Sequence, residues 1–267
     1  MDLTLAERSR LDFVLSLRRR WADTVYPALR EQFEHDAERA ADIRASVQRQ
    51  PAYPWFAFLE RNAQKMLWRD VTDIVAAHPA AAPEPADAPA TLKLNPGLTL
   101  PDWYTDWDIH IQPGGIWRNA ASAEVYELGA KLVMLGGNDD YTFHRAFVET
   151  AIPNRPYRRM VDLGCGFGKS TWPLKRSFPD AEVIGIDLAE PCLRKAQQRA
   201  NAAGLAIEFV PSRLPGDQLA RRLRGPRYIH HADPRDAPPG AGGHAARMPA
   251  HPGPGRPSAV PRLHPHR

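Results

Sequence analysis

The chain has 267 residues, 43 % of them hydrophobic and 25 % charged, the composition of a globular protein rather than a membrane-spanning or low-complexity one. Its net charge of +4 is unevenly placed: residues 211–267 hold ten arginines, no lysine and three acids, which leaves residues 1–210 at −3. The charge therefore gives no support to a nucleic-acid interface on the first 210 residues. The two cysteines, Cys165 and Cys192, form neither a disulfide framework nor a zinc spacing and fit a reducing compartment. Glu7, Arg8, Arg10 and Asp12 interrupt any apolar signal core, and no run reaches the roughly 18 apolar residues of a membrane span. A soluble cytoplasmic protein is expected.

Residues 1–78 read as a helical N-terminal region. Val14, Leu17, Trp21, Val25, Leu29 and Phe33 recur at spacings of three and four and form one apolar stripe. Arg18, Arg19 and Arg20 are expected on its solvated face. A second helix is predicted from Trp55 to Val75, with Phe58, Leu59, Met66, Leu67 and Val71 inward, and Pro51 and Pro54 separating it from the first. Residues 79–102 begin with a proline–alanine run, Pro79 to Pro89, and read as a semi-extended linker.

From 103 the pattern changes. Trp103 to Trp117 is rich in aromatic residues and contains the turn Gln112-Pro113-Gly114-Gly115. Helices are predicted over Ser122 to Leu135, stopped by Gly136 and Gly137, and over Tyr141 to Thr150. Then strands and helices alternate: strand Arg158 to Asp162, helix Lys169 to Phe178, strand Val183 to Asp187, helix Glu190 to Ala203, strand from Ile207 to Val210. Such alternation predicts a parallel, doubly wound α/β unit over 158–210, within a domain spanning 103–210.

The turn after the first of these strands carries the chemistry. Gly164 and Gly166 allow the backbone to turn sharply and let a ligand approach free amides at a helix start. Asp187 ends the next strand, 25 residues after Asp162, where an acid can accept hydrogen bonds from a ribose diol. A dinucleotide loop, G-x-G-x-x-G, fails because Lys169 occupies its last glycine position. A phosphate-binding loop ending in Gly168-Lys169-Ser170 fails because its first glycine would have to be Leu163. The pattern acid-x-Gly-x-Gly-x-Gly is met by Asp162, Gly164, Gly166 and Gly168.

On these residues the segment from about 141 to 210 resembles the class I S-adenosylmethionine-dependent methyltransferases that act on small molecules. The resemblance implies a Rossmann-like fold and S-adenosylmethionine as cofactor. It also implies methyl transfer to a nucleophilic atom of a small-molecule acceptor; the lack of an apolar span separately leads us to expect no membrane partner. It places Asp162, Gly164, Cys165, Gly166 and Gly168 along the methionine and ribose part of the cofactor, Asp187 at the ribose hydroxyls and Leu188 beside the adenine. Pro211, Ser212 and Arg213 stand where the family has a further acid. The general base is unassigned and no metal is implied.

Other residues read more blandly. Cys165 is expected to be a small loop residue rather than a nucleophile, and Lys169 to face solvent. His110, between Ile109 and Ile111 before the glycine turn, is either a base reaching a substrate pocket or a histidine hydrogen-bonded at an element edge. Tyr126 and Tyr141 lie on segments that cover the cofactor site in the family, with packing the commoner role. The histidines after residue 229 lack ligand spacing.

After Val210 the α/β pattern stops. Residues 211–267 contain 12 prolines and one aromatic, Tyr228, the composition of a disordered tail. Arginine, proline, alanine, glycine and histidine together are what a GC-rich gene yields out of frame. Suitable synonymous codons read one nucleotide later return an apolar run and a proline–glycine turn that resemble the family's fourth strand and the approach to its fifth. A frameshift near codon 211 is the preferred account. It leaves the domain truncated, puts the activity of the chain in question and predicts that the third strand is an exposed edge. The alternative is a non-enzymatic protein that binds a nucleotide or nucleic acid through the basic tail.

Overall fold

The computed structural model describes residues 2–36, 49–79, 89–138, 140–213 and 229–230. The first helix, α1 (Leu5–Asp36), opens with a reciprocal cap. The Glu7 carboxylate accepts from the Thr4 amide at 2.7 Å and from its hydroxyl at 2.8 Å, while the Glu7 amide donates to Thr4 Oγ1 at 3.3 Å. This Thr-x-x-Glu box satisfies donors that a helix start otherwise leaves unpaired.

Leu11, Val14, Trp21 and Leu29 are buried on α1. The first three meet Ala63, Leu67, Val71, Ile74 and Val75 of α2 (Tyr53–Ala77). Two of the residues expected inward on α2 point out: Phe58 is 60 % exposed and Met66 41 %. Phe58 lies nine positions before Leu67, which on a helix of about 3.6 residues per turn is the opposite face. Arg18 also departs from expectation. Its guanidinium is buried and donates to the Val133 carbonyl at 3.1 Å and to Glu60 at 3.2 Å, while the Trp21 indole donates to the same Glu60 at 3.0 Å. Glu60 thereby clips α1 to α2, and Arg18 joins both to the end of the helix over Ala120–Val133.

After α2 come β1 (Thr91–Leu92), the short α3 (Asp102–Thr105) and a single 3-10 turn at Ile109–Ile111. Next are α4 (Ala120–Val133) and α5 (Thr142–Ala151). The alternating unit follows: β2 (Arg159–Leu163), α6 (Thr171–Ser177), β3 (Glu182–Asp187), α7 (Glu190–Ala202) and β4 (Ile207–Pro211). A short β5 covers Ile229–His230. The sheet order is β1-β4-β3-β2-β5 and every pairing is parallel. This is the Rossmann-like α/β arrangement behind a helical N-terminal region.

Alternation along the strands sorts side chains to two faces. Met160, Val183, Ile207 and Phe209 pack with Leu174, Leu193, Ala196 and Ala200 in one cluster. Val161, Ile184 and Ile186 form a second cluster on the other pleat. Gly185 lies where a side chain would strike the Phe209 ring, 2.7 Å from an added Cβ.

The third strand of the unit is not the exposed edge that the sequence led us to expect. β1 pairs with β4, Thr91 beside Glu208 and Leu92 beside Phe209, and the Lys93 amide donates to the Phe209 carbonyl at 2.9 Å. This β1 comes from the 79–102 segment read as a linker. It is fastened by Asn201 and Gln197 of α7, which bond the amide and carbonyl of Ala90 at 2.9 and 3.1 Å. On the far side, Ile229 and His230 pair with Val161 and Asp162, a strand that the composition of the tail did not suggest. The other expectations for the tail beyond Arg213 lie outside the described residues. No helix among the described residues is long and apolar enough to cross a membrane.

Candidate functional site

The loop from Gly164 to Ser170 joins β2 to α6 at the carboxyl end of the sheet. Gly164, Gly166 and Gly168 have φ of +72°, +52° and +90°, the left-handed region that disfavours residues with a Cβ. The amides of Gly164 and Cys165 both donate to the Ile186 carbonyl, at 2.8 and 3.1 Å, and the Gly168 amide donates to the Cys165 carbonyl at 2.8 Å. The loop is thus folded back onto the end of β3.

Asp187 completes that junction. One carboxylate oxygen accepts from the Gly166 amide at 2.8 Å and the other from the Ala189 amide at 2.8 Å. Burial pushes its pKa up, against the amide hydrogen bonds from Ala189, Gly166 and Leu188. Leu188, partly buried, packs beside the cluster of Ala189, Cys192 and Phe167.

Asp162 is buried on β2. Its Oδ2 accepts from the hydroxyls of Ser170 at 2.6 Å and Thr171 at 2.7 Å. These two hydroxyl residues were not singled out in the sequence. The signal was a buried acid followed eight and nine positions later by adjacent hydroxyls at a helix start. Through them Asp162 sets where the loop ends and α6 begins.

Cys165 is buried and its thiol is pushed well above its ordinary pKa by desolvation and by Asp187 and Asp162. Cys192 is buried too and shifted the same way by desolvation and Asp187. Both stay protonated thiols, poor nucleophiles.

An aromatic wall faces the loop. Phe167 is fully buried, and the rings of Tyr126 and Tyr141 meet it edge-on at 5.1 and 5.9 Å. An added Cβ on Gly166 would lie 3.4 Å from Tyr126 Cε1, so α4 closes over the middle of the loop. His110 stacks on Tyr126 with centroids 5.1 Å apart and planes 12° apart. Both His110 and Ile111 are in the left-handed region, at +60° and +62°, an uncommon conformation for a β-branched residue.

Lys169 departs from the sequence reading. It does not simply face solvent: its Nζ lies 5.2 Å from the centroids of both Tyr126 and Phe167. Desolvation lowers its pKa.

Tyr141 is buried and donates to Glu127 at 3.3 Å. Glu127 in turn meets Lys195 of α7 at 2.8 Å and Arg199, and Lys195 also meets Glu124 at 2.5 Å. This charged cluster fastens α4, which carries Tyr126, to α7 of the alternating unit.

The acid at the end of β3 stands beside the glycine loop, a position from which a carboxylate can accept hydrogen bonds from a ribose diol. Among the described residues no group of three or more His, Cys, Asp or Glu is placed to hold a metal ion.

Residues 160–220 match the family model described as a methyltransferase domain. The demethylmenaquinone methyltransferase of Thermus thermophilus is 37 % identical over 95 residues, which is 36 % of this chain and 40 % of that protein. The trans-aconitate 2-methyltransferase of Deinococcus radiodurans is 47 % identical over 49 residues, 18 % of this chain and 19 % of that protein. The chain therefore matches well under two thirds of the length of either relative. The solved structure of the pyocyanin biosynthetic protein PhzM overlaps 32 % of this chain and 26 % of that one at 20 % identity, with a TM-score of 0.26. The glycine loop and the strands around it are similar to those of class I S-adenosylmethionine-dependent methyltransferases that act on small molecules.

Proposed function

We propose that this protein is an S-adenosylmethionine-dependent methyltransferase whose acceptor is a small molecule. The observation that carries this is the junction of Gly166 and Asp187, 2.8 Å apart, in an acid-x-Gly-x-Gly-x-Gly loop. Asp187 would hold the ribose hydroxyls and Leu188 would flank the adenine. Gly164, Cys165, Gly166 and Gly168 would present their backbone to the methionine and ribose part. Asp162 would act through Ser170 and Thr171, keeping the loop in register.

Bound there, the cofactor supplies an electrophilic methyl group on a sulfonium centre. The protein's own part is to orient it, to exclude water and to present the acceptor in line. Phe167, Tyr126 and Tyr141 would exclude water from the loop. Residues 103–150 would form the acceptor side of a domain running to 210, with residues 1–78 a helical region packed on it through α4. A cytoplasmic location accords with two free, buried cysteines. The two relatives named above act, by their names, on demethylmenaquinone and trans-aconitate, both small molecules, which supports the acceptor class.

The test is direct binding by calorimetry. S-adenosylhomocysteine should bind in preference to ATP or NAD. A tighter complex with ATP would overturn the assignment. Transfer of a labelled methyl group to a panel of small acceptors would then measure the activity itself.

A further inference from the structure

Lys169 is a cation that the fold does not neutralise. Lys195, on α7, meets Glu124 and Glu127 at 2.5 and 2.8 Å. Lys175, on α6, donates to the carbonyls of Pro179 and Ala181 at 2.8 and 2.9 Å. Lys169 has neither: among the described residues no carboxylate and no carbonyl meets its ammonium, which touches only the π faces of Tyr126 and Phe167.

Two rings at that range recover part of the lost hydration. They accept none of the three N–H bonds an ammonium offers. A partly buried ammonium without an acceptor costs stability unless something else uses it. The position of Lys169 says what could. The ring it lies on, Tyr126, is also the ring that closes on Gly166 and the ring on which His110 stacks. Lys169 therefore stands where the glycine loop meets the wall contributed by residues 103–150, the acceptor side of the function proposed above.

We propose that Lys169 binds the carboxylate of a small molecule held in this site, so that the acceptor of the methyltransferase is an organic acid. The Lys169 ammonium would donate to a carboxylate oxygen while the Tyr126 and Phe167 rings keep the pair out of bulk water, where a charge-assisted hydrogen bond is stronger. A second carboxylate could reach the same lysine, that of the amino-acid part of the cofactor, and the two sources are separable.

The experiment uses the full chain and its Lys169→Met and Lys169→Arg variants. Calorimetry would measure S-adenosylhomocysteine, 5′-methylthioadenosine (which lacks the amino-acid part) and, with S-adenosylhomocysteine present, succinate, citrate and uncharged succinamide. For an acceptor carboxylate, Lys169→Met should weaken succinate or citrate by roughly tenfold or more and leave both nucleosides unchanged. Lys169→Arg should retain most of the binding, and succinamide should not respond. Loss of S-adenosylhomocysteine binding alone, with 5′-methylthioadenosine unchanged, would overturn the organic-acid acceptor and assign the lysine to the cofactor's carboxylate.

Unchanged binding of every carboxylate would overturn any anion-binding role. Lys169→Met should also melt at the same or a higher temperature than the wild type, since it removes an unneutralised ammonium. A marked fall would mean that the lysine is structural. Failure of the wild type to bind S-adenosylhomocysteine or 5′-methylthioadenosine would count against the methyltransferase function itself, separately from the lysine.

Discussion

The Gly166 amide donates to the Asp187 carboxylate at 2.8 Å, and this one bond ties the middle of the glycine loop to the end of the neighbouring strand. The other oxygen of the same carboxylate accepts from Ala189, so Asp187 both shapes the loop and stands at its mouth. Asp187→Ala should therefore weaken S-adenosylhomocysteine binding by about 1–3 kcal/mol, roughly 5- to 150-fold. Asp187→Asn keeps one carbonyl acceptor and should lose less. Calorimetry on the three proteins gives the series; equal affinity throughout would remove Asp187 from the site.

Gly166 is a strained position for a branched side chain. Its φ of +52° disfavours any Cβ, and an added Cβ would already be in contact with Tyr126 at 3.4 Å, so the γ carbons of a valine would crowd the loop. Gly166→Val should abolish binding of the adenosyl ligand and leave the α1–α2 pair folded, because that pair buries its own cluster around Leu67 and Trp68. Circular dichroism should show the helical signal retained. Wild-type affinity in this variant would make the loop purely structural.

The cap of α1 has a pH signature. Hydrogen bonds from Thr4 and His78 lower the Glu7 pKa from 4.5 to about 2, and His78 Nε2 stands 3.1 Å from both of its oxygens. A carboxylate depressed in the folded state adds stability above its unfolded pKa, and that stability is lost as pH falls through the folded value. The melting-temperature difference between the wild type and Glu7→Gln should be full at pH 7, shrink below about pH 4.5 and be gone near pH 2. A difference that does not change with pH would assign the effect to the cap geometry alone.

The charge excess after residue 210 makes a prediction about the gene. If residues 211–267 are out of frame, the coding sequence near codon 211 carries one base too many or too few. Restoring it should extend the α/β domain with further strands and a near-neutral or acidic C-terminal half, because the +7 excess of residues 211–267 is a product of the wrong frame. Sequencing that region decides it. Early stop codons in the shifted frame would refute the frameshift.

The local pattern alone determined the alternating unit. Each strand from β2 to β4 is a short apolar run bounded by a turn, each helix has its own apolar spacing, and the glycine loop with Asp187 is a matter of spacing along the chain. Those signals are local, so they survive without knowledge of the fold. The Thr4 and Glu7 cap is local too, a Thr-x-x-Glu spacing, but it was not singled out in the sequence.

What only the tertiary structure decided are the pairings between distant segments. Two residues, Thr91 and Leu92, carry too little periodicity to announce a strand, and they became one because β4 offered an unpaired edge and Asn201 and Gln197 fastened Ala90. Arg18 read as one of three solvated arginines until the Val133 carbonyl and Glu60 arrived from other helices. Lys169 read as solvent-facing because the fold of the loop that lays it over its near neighbour Phe167, and the distant ring of Tyr126, are not visible in the local pattern. The two rings come together only when α4 closes over the loop, and that closure involves charged and aromatic contacts between residues far apart in the chain.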